Sequence, residues 1–175
     1  MKHGCRSLKA QGHLRSLCVD ANLKGKTMVE IGSYAGESTV VFARFCNKVY
    51  AIDPWSESWK TDESTENMKL IEATAPYYLN APMSEVEQCF DERTSNFGNI
   101  IKIKDYSDNA ISQFADDSID AVYIDSIHTY EATKRSIILW KPKIKSIIAG
   151  HDYYPPKWPG VVQAVIVGLF FFRIF

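Results

Sequence analysis

The sequence predicts an α/β protein built on a doubly wound, mostly parallel sheet with helices on both faces. Short apolar β-type runs alternate along the chain with segments of helical periodicity, which implies right-handed crossovers between parallel strands. A turn with glycines at positions 32 and 36 joins the first strand to the following helix. With 175 residues and no repeats or linkers, we expect a single domain over 1–175. It would comprise an N-terminal helix at about 5–24 and a core at 27–175.

The predicted strands are short and buried, at 27–31, 49–52, 99–103, 119–124 and 144–149. Helical spacing predicts helices at 38–46, 84–97, 108–114 and 130–140, the second opened by a capping box at 84–87. Residues 55–82 are polar and poorly periodic, so we expect loop and irregular helix there, arranged as a lid. The apolar stretch 161–175 is predicted to form a buried helix end and a strand, because its longest unbroken apolar run is too short to span a bilayer. The alternative is a tail that lies on a membrane surface.

Composition argues against several function classes. Lys plus Arg number 20 and Asp plus Glu number 21, so the net charge of −1 gives no general attraction to nucleic acid or to an anionic membrane. The 4 cysteines are too widely spaced for a zinc-binding pair. Residues 1–11 lack the apolar segment of a signal peptide. We therefore expect a cytoplasmic protein with reduced thiols, no nucleic-acid partner and no stable membrane insertion.

The turn after the first strand is the first candidate binding element. Parallel sheets bind ligands at the carboxyl ends of their strands, and Gly32 and Gly36 let a ligand approach the backbone and the helix N-terminus. The dinucleotide fingerprint GxGxxG fails, because Tyr34 and Glu37 replace its second and third glycines. Glu30 suits a ligand that carries an ammonium group. The alternative is a strand-ending turn with an exposed acid.

Asp53 ends the second predicted strand, at the distance from Gly32 where α/β nucleotide folds place a ribose-binding acid. Alone, the Asp-Pro pair at 53–54 is more typical of a turn. Together with the first turn, it favours ribose binding.

These motifs resemble those of class I S-adenosylmethionine-dependent methyltransferases, which have a Rossmann-like fold. The resemblance begins near Gln11 and is strongest in the stretch VEIGSYAGES at 29–38, whose form E-I-G-x-Y-x-G-x-S is similar to metal-dependent catechol and caffeoyl-coenzyme A O-methyltransferases. The stretches VYAIDPW at 49–55 and DSIHTY at 125–130 resemble the small bacterial and phage family called methyltransferase type 24.

The resemblance implies a set of residues that bind S-adenosyl-L-methionine. The methionine part would be held by Glu30, Gly32, Ser33, Gly36 and Ser38. Asp53 would bind the ribose hydroxyls and Trp55 would lie near the adenine. Asp105 and Ser107, after the third strand, would contact the adenine as well.

The resemblance also implies a metal and a base. Asp125 and Asp152 occupy the positions of two metal-binding carboxylates, which suit Mg²⁺ or another divalent cation. The relatives have Asn as third ligand where this chain has Tyr153. His128 lies where the catechol group has its basic lysine, and an imidazole with an unperturbed pKa of about 6.5 can do the same work. We predict Asp125 and His128 as the catalytic residues; the alternative is that the acids cap turns and the histidine packs.

The function that this resemblance implies is methylation of an oxygen on a small hydroxylated acceptor, such as a sugar, polyol or phenol. Two alternatives stay open: a metal-dependent hydroxylase-like relative on the same fold, and a non-catalytic nucleotide-binding domain. A homodimer is also left open. The relatives complete a seven-stranded sheet with a C-terminal hairpin, whereas residues 169–175 suffice for one further strand here, so we expect truncated C-terminal strands.

Overall fold

The computed structural model describes residues 8–170 and confirms the predicted α/β fold. Five strands form one parallel sheet in the order β3-β2-β1-β4-β5. They are β1 Thr27–Ile31, β2 Lys48–Ile52, β3 Ile100–Ile103, β4 Ile119–Ile124 and β5 Ile144–Gly150. The five strands predicted between residues 27 and 149 agree with these bounds to within one residue.

Helices connect and cover the strands. They are α1 Leu8–Asp20, α2 Glu37–Ala43, α3 Trp59–Asp62, α4 Thr65–Thr74, α5 Tyr77–Asn80, α6 Met83–Thr94, α7 Ser107–Ala110, α8 Tyr130–Trp140 and α9 Pro159–Phe170. Short 3₁₀ turns follow α7 and α8, at Ile111–Gln113 and Lys141–Lys143. None of the helices between residues 8 and 170 is long and apolar enough to cross a membrane.

The central strand β1 shows why both faces of the sheet are covered. Successive side chains of a strand point to opposite faces. Met28 packs on one face with Leu14 of α1 and Phe42 of α2. Val29 packs on the other face, in the cluster that contains Trp140 of α8. Because β1 is buried on both sides, it lies at the centre of a sheet with helices above and below.

Helix α6 does not begin with the predicted capping box. It starts at Met83, with Pro82 at the N-cap position, so residues 84–87 lie inside the helix. The first-turn amide of Met83 donates instead to Glu57 Oε1, at 2.7 Å. A carboxylate from a neighbouring loop therefore replaces the local cap, which a pattern of adjacent residues cannot reveal.

The predicted lid region is helical. Residues 59–80, which contain α3, α4 and α5, form what we call the lid segment. Ser64 caps α4 by accepting a hydrogen bond from the Asn67 amide at 3.1 Å. The predicted C-terminal strand is wrong at positions 169–170, where the backbone belongs to α9; its remaining residues lie outside the described part of the chain.

The strand order creates one edge at which all the candidate turns meet. The chain runs outward from β1 to β3 and then returns to the other side of β1 as β4. The register aligns Ile31 with Ile52 on one side and with Ile124 on the other. Such a reversal of strand order is where α/β sheets open a crevice for ligands.

Gly32 is required by the packing of two strand ends. Its φ of +87° lies in the left-handed region, and an added Cβ would lie 1.9 Å from the backbone oxygen of Asp125. The turn after β1 and the turn after β4 are therefore in direct backbone contact. A larger residue at 32 would separate these turns, whatever it did to a ligand.

We expect Gly32→Ala to destabilise the fold by more than about 3 kcal/mol, because both the φ and the contact with Asp125 are unfavourable for alanine. Gly25→Ala is the matched control: its φ is +74° but an added Cβ meets nothing within 4 Å. That change should cost only about 1–2 kcal/mol. Urea denaturation measures both, and equal losses of unfolding free energy would contradict the packing argument.

Candidate functional site

A cavity of about 1020 Å³ opens at the carboxyl ends of the strands. Its volume is at the upper end of ligand sites, which hold roughly 300–1,000 Å³. Nine of the predicted site residues line it: Gly32, Ser33, Ser38, Asp53, Asp105, Ser107, Asp125, His128 and Asp152. The fold thus gathers residues from the turns after all five strands into one site.

The first turn presents small polar groups to the cavity. Ser33 lines it, and the buried Ser33 hydroxyl has no hydrogen-bond partner among the described residues. Glu30 and Gly36 are not among the lining residues. Glu30 is fully buried and accepts a hydrogen bond from the Thr39 hydroxyl, while an added Cβ on Gly36 would lie 3.0 Å from the Phe90 ring. Glu30 and Gly36 therefore support the turn without lining the cavity.

Asp53 is buried at the cavity wall and shapes the two turns beside it. Its carboxylate accepts hydrogen bonds from the backbone amides of Tyr34, at 2.9 Å, and Trp55, at 2.8 Å. Both of these residues have positive φ, 45° and 43°. Burial raises the pKa of Asp53 to about 6, although the two backbone hydrogen bonds act in the opposite direction.

Trp55 does not lie where the sequence placed it. Its side chain is 5% exposed and packs on Phe90 of α6, with ring centroids 4.9 Å apart. Its indole N–H donates to the Tyr34 carbonyl at 2.8 Å. The ring packs in the core and does not line the cavity. The aromatic residue that lines the cavity near Asp105 and Ser107 is Tyr106, whose hydroxyl is 2.7 Å from that of Ser58.

Three predicted residues form a compact cluster on the β4 and β5 side. Single ligand atoms of Asp125, His128 and Asp152 all lie within 4.8 Å of one another. His128 Nε2 is 2.9 Å from Asp152 Oδ2, and His151 Nδ1 is 2.9 Å from the same oxygen. Asp152 has a φ of 61°, a conformation that Asp adopts more readily than most residues.

Two residues that the sequence did not single out hold His128. Glu63 Oε2 accepts the His128 backbone amide at 2.9 Å and lies 2.9 Å from the ring Nδ1. Trp158 stacks on the imidazole, with centroids 4.0 Å apart and an interplanar angle of 18°. Both are distant in sequence from His128, and no local pattern marked them.

The two carboxylates change the charge of His128. Burial alone would lower its pKa, but the hydrogen bonds with Asp152 and Glu63 raise it to about 9. Burial would likewise raise the pKa values of Asp152 and Glu63, yet their hydrogen bonds with His128 hold both below the usual range. At neutral pH His128 is therefore an imidazolium between two carboxylates, not a group with the unperturbed pKa of about 6.5.

The carboxylates of the cluster suit a divalent cation better than its imidazole does. Asp125 and Asp152 bring oxygen donors from two neighbouring strand ends, which Mg²⁺ and Mn²⁺ prefer. Both ring nitrogens of His128 are already engaged by carboxylates. Tyr153, at the position of the relatives' third ligand, is 57% exposed and is not among the cavity-lining residues.

Comparison with known proteins agrees with the fold. A family model described as a methyltransferase domain, type 24, matches residues 29–153. A precorrin-6y C5,15-methyltransferase from Geobacter metallireducens has a similar structure, with TM-score 0.64 and 10% identity over 96% of this chain and 74% of that chain. An S-adenosylmethionine-dependent O-methyltransferase from Thermotoga maritima is also similar in structure. Its TM-score is 0.61, with 11% identity over 95% of this chain and 52% of that chain. No curated protein matches this sequence.

A further similar structure is a Streptococcus mutans protein described as a methyltransferase and solved in complex with S-adenosylhomocysteine, with TM-score 0.60 and 14% identity over 98% of this chain and 86% of that chain. These similar structures share the fold of this chain. The chain belongs to the methyltransferase family whose model matches residues 29–153, more than half of its length. The names of these similar structures indicate different kinds of acceptor. They therefore do not identify the acceptor of this chain.

The raised pKa of His128 predicts a pH-dependent contribution to stability. Because the folded pKa of about 9 exceeds the unfolded value of about 6.5, the contribution is complete below pH 6.5 and is lost as the pH rises through 9. The loss of unfolding free energy in His128→Gln should therefore shrink by on the order of 1–3 kcal/mol between pH 6 and pH 10. Urea denaturation at each pH measures it, with the exposed His13→Gln as control. A loss independent of pH would contradict the assignment.

Proposed function

We propose that this protein transfers the methyl group of S-adenosylmethionine to a hydroxyl of a small acceptor, with help from a divalent cation. The observation that carries the proposal is that one cavity holds both the polar turn after β1 and the cluster of Asp125, His128 and Asp152. The first is suited to bind a nucleoside with an amino-acid tail. The second is suited to take a proton from an acceptor.

The cofactor would lie along the ends of β1, β2 and β3. Ser33 and Ser38 offer hydroxyls for the methionine part, and the buried Asp53 carboxylate keeps lone pairs for ribose hydroxyls beside its two backbone hydrogen bonds. Asp105 and Ser107 line the cavity beyond Asp53, where the base of a nucleoside would reach. Trp55 has no part in this arrangement.

The reaction needs little more than alignment and removal of one proton. The acceptor oxygen forms a bond to the methyl carbon while the carbon–sulfur bond breaks, and S-adenosylhomocysteine leaves. Holding the oxygen about 3–3.5 Å from the methyl carbon in line with that bond supplies much of the acceleration. The hydroxyl proton passes to neutral His128, so turnover should increase as the pH approaches 9. When bound, a divalent cation lowers the pKa of an acceptor hydroxyl, and Asp125 and Asp152 would hold it.

The acceptor would lie between the lid segment and the loop after β5. Trp59 and Tyr78 of the lid segment and Trp158 line this part of the cavity. Flat aromatic walls suit a sugar or phenol ring, which stacks on them through its apolar face. The two other functions that the sequence left open make different predictions: a hydroxylase-like relative would oxygenate its substrate, and a binding domain would take up S-adenosylhomocysteine without turnover of S-adenosylmethionine.

Ser33→Ala should weaken the binding of S-adenosylhomocysteine by about 2- to 13-fold, the effect of one lost hydrogen bond. Its folding stability should be unchanged or higher, because the hydroxyl has no protein partner. Isothermal titration calorimetry and thermal denaturation measure the two quantities. Ser112→Ala, whose exposed hydroxyl bonds to the Asn109 carbonyl, is the control. Equal affinities of the three proteins would contradict the place assigned to the cofactor.

Asp152→Asn should abolish methyl transfer while leaving the affinity for S-adenosylhomocysteine within about 2-fold. Asn tolerates the positive φ of position 152 but is a weaker cation ligand than a carboxylate. Transfer of labelled methyl from S-adenosylmethionine to a panel of sugars, polyols and catechols, with Mg²⁺, Mn²⁺ or chelator, provides the assay. Full transfer by the wild type in chelator would contradict the cation's role, and unimpaired Asp152→Asn would contradict that of the carboxylate.

A further inference from the structure

Lys157 is a positively charged residue of the cavity wall that the proposed reaction leaves without a role. It lies in the loop after β5, directly before α9, and lines the cavity beside Trp158. The backbone amides of Lys157 and Trp158 both donate to the Tyr154 carbonyl, at 3.0 Å and 2.8 Å. A local turn therefore holds the backbone that carries the lysine.

The ammonium group of Lys157 differs from the other cations of the cavity in having no carboxylate partner. Arg135 pairs with Asp108, and the two histidines of the cavity both pair with Asp152. Within residues 8–170, Lys157 forms no ion pair, although its side chain is partly withdrawn from water. Charges withdrawn from water are normally compensated by an opposite charge. The cavity wall thus presents one positive charge that no described residue neutralises.

The contacts of Trp158 fix the position of this charge relative to the proposed base. Lys157 Nζ lies over the indole ring of Trp158, 5.2 Å from its centroid, in a cation–π contact. The same indole stacks on His128 with centroids 4.0 Å apart. The ammonium group is therefore within about 10 Å of the imidazole. One ring that carries a hydroxyl and a charged substituent is long enough to reach both groups.

We propose that Lys157 binds a carboxylate of the acceptor, so that the protein selects ring-shaped acceptors that carry both a hydroxyl and a carboxylate. The inference rests on the proposed function and narrows its acceptor class. The ring would lie against the aromatic walls, with its hydroxyl at His128 and its carboxylate at the Lys157 ammonium. Lys157 is then a specificity-determining residue that takes no part in the transfer of the methyl group.

The charges around Lys157 favour a carboxylate over a phosphate. A single lysine supplies one positive charge, which matches a carboxylate, whereas phosphate is bound most effectively by the bidentate fork of arginine. Asp62 and Glu63 line the same cavity, and their negative charges oppose the entry of a dianion. The N-terminus of α9, directly after Trp158, adds a partial positive charge on the side of Lys157.

The test is isothermal titration calorimetry of the full chain with matched ligands, in the presence of Mg²⁺ and S-adenosylhomocysteine. The pairs are a dihydroxybenzoate with the corresponding dihydroxybenzamide, and glucuronate with glucuronamide; each amide has nearly the shape of its acid without the charge. For at least one pair, the wild type should bind the acid about 10-fold more tightly than the amide, the effect of one charge-assisted hydrogen bond. Lys157→Gln should bind acid and amide of that pair within about 2-fold of each other. Lys157→Arg should retain the preference, because a guanidinium also pairs with a carboxylate.

Lys134→Gln is the matched control. Its ammonium group also lies over an aromatic ring, 5.1 Å from the centroid of Tyr130, but Lys134 does not line the cavity. This variant should keep the preference of the wild type. Equal affinity of the wild type for acid and amide in both pairs, absence of binding of all four ligands, or a preference that survives in Lys157→Gln would overturn the proposal.

The same ligands separate this inference from the proposed function. Transfer of labelled methyl to neutral acceptors, with no preference for their acids, would support the proposed function and overturn the role of Lys157. Absence of S-adenosylhomocysteine binding would contradict the proposed function. The two ligand pairs, compared on the protein with Mg²⁺ alone, would then still decide whether Lys157 binds a carboxylate.

Discussion

The close approach of two strand-ending turns is the constraint on which the site depends. The parallel pairing of β1 with β4 brings the Gly32 turn against the backbone of Asp125 so tightly that no Cβ fits between them. One side of this contact is the turn that would hold the methionine part of the cofactor. The other side leads directly into the segment with Asp125 and His128. In the proposed reaction, this pairing would set the distance between a bound methyl donor and the group that removes the acceptor proton.

The second organising feature is a row of three charged side chains that line the cavity. The charges of Glu63, His128 and Asp152 alternate in sign. Hydrogen bonds between these side chains offset the unfavourable burial of each charge. These contacts join three separate parts of the sequence: the lid segment, the turn after β4 and the loop after β5. Such a buried network is strongly destabilised when one member is removed, because the remaining charge is left unpaired. The three charged residues line the cavity together with the aromatic residues Trp59 and Trp158.

The sequence was sufficient to predict the strands and helices that depend on the pattern of neighbouring residues. Strands β1 and β4 are apolar on both faces, and their alternation with helices was sufficient to predict the parallel sheet. The strand-end rule then pointed to turns that contribute nine predicted residues to the cavity lining, because parallel strands in register bring their following turns together. The narrower likeness to catechol methyltransferases stays a hypothesis about the acceptor.

What the sequence missed depends on contacts between distant segments. Trp55 was expected beside a ligand, but its side chain is buried against Phe90 of α6. Helix α6 begins at a contact between Glu57 and Met83 rather than at a local capping box. No local pattern marked Glu63, because its partner His128 lies 65 residues further along the chain. Burial lowers the pKa of His128, but its hydrogen bonds with Asp152 and Glu63 raise it to about 9, so the unperturbed value was misleading.

A crystal structure of this protein in complex with S-adenosylhomocysteine is the most direct test of the proposed function. We expect the amino-acid tail at the turn formed by residues 32–38, the ribose at Asp53, and the sulfur facing the cluster of Asp125, His128 and Asp152. Density for the ligand elsewhere, or in this cavity with the sulfur directed away from that cluster, would contradict it.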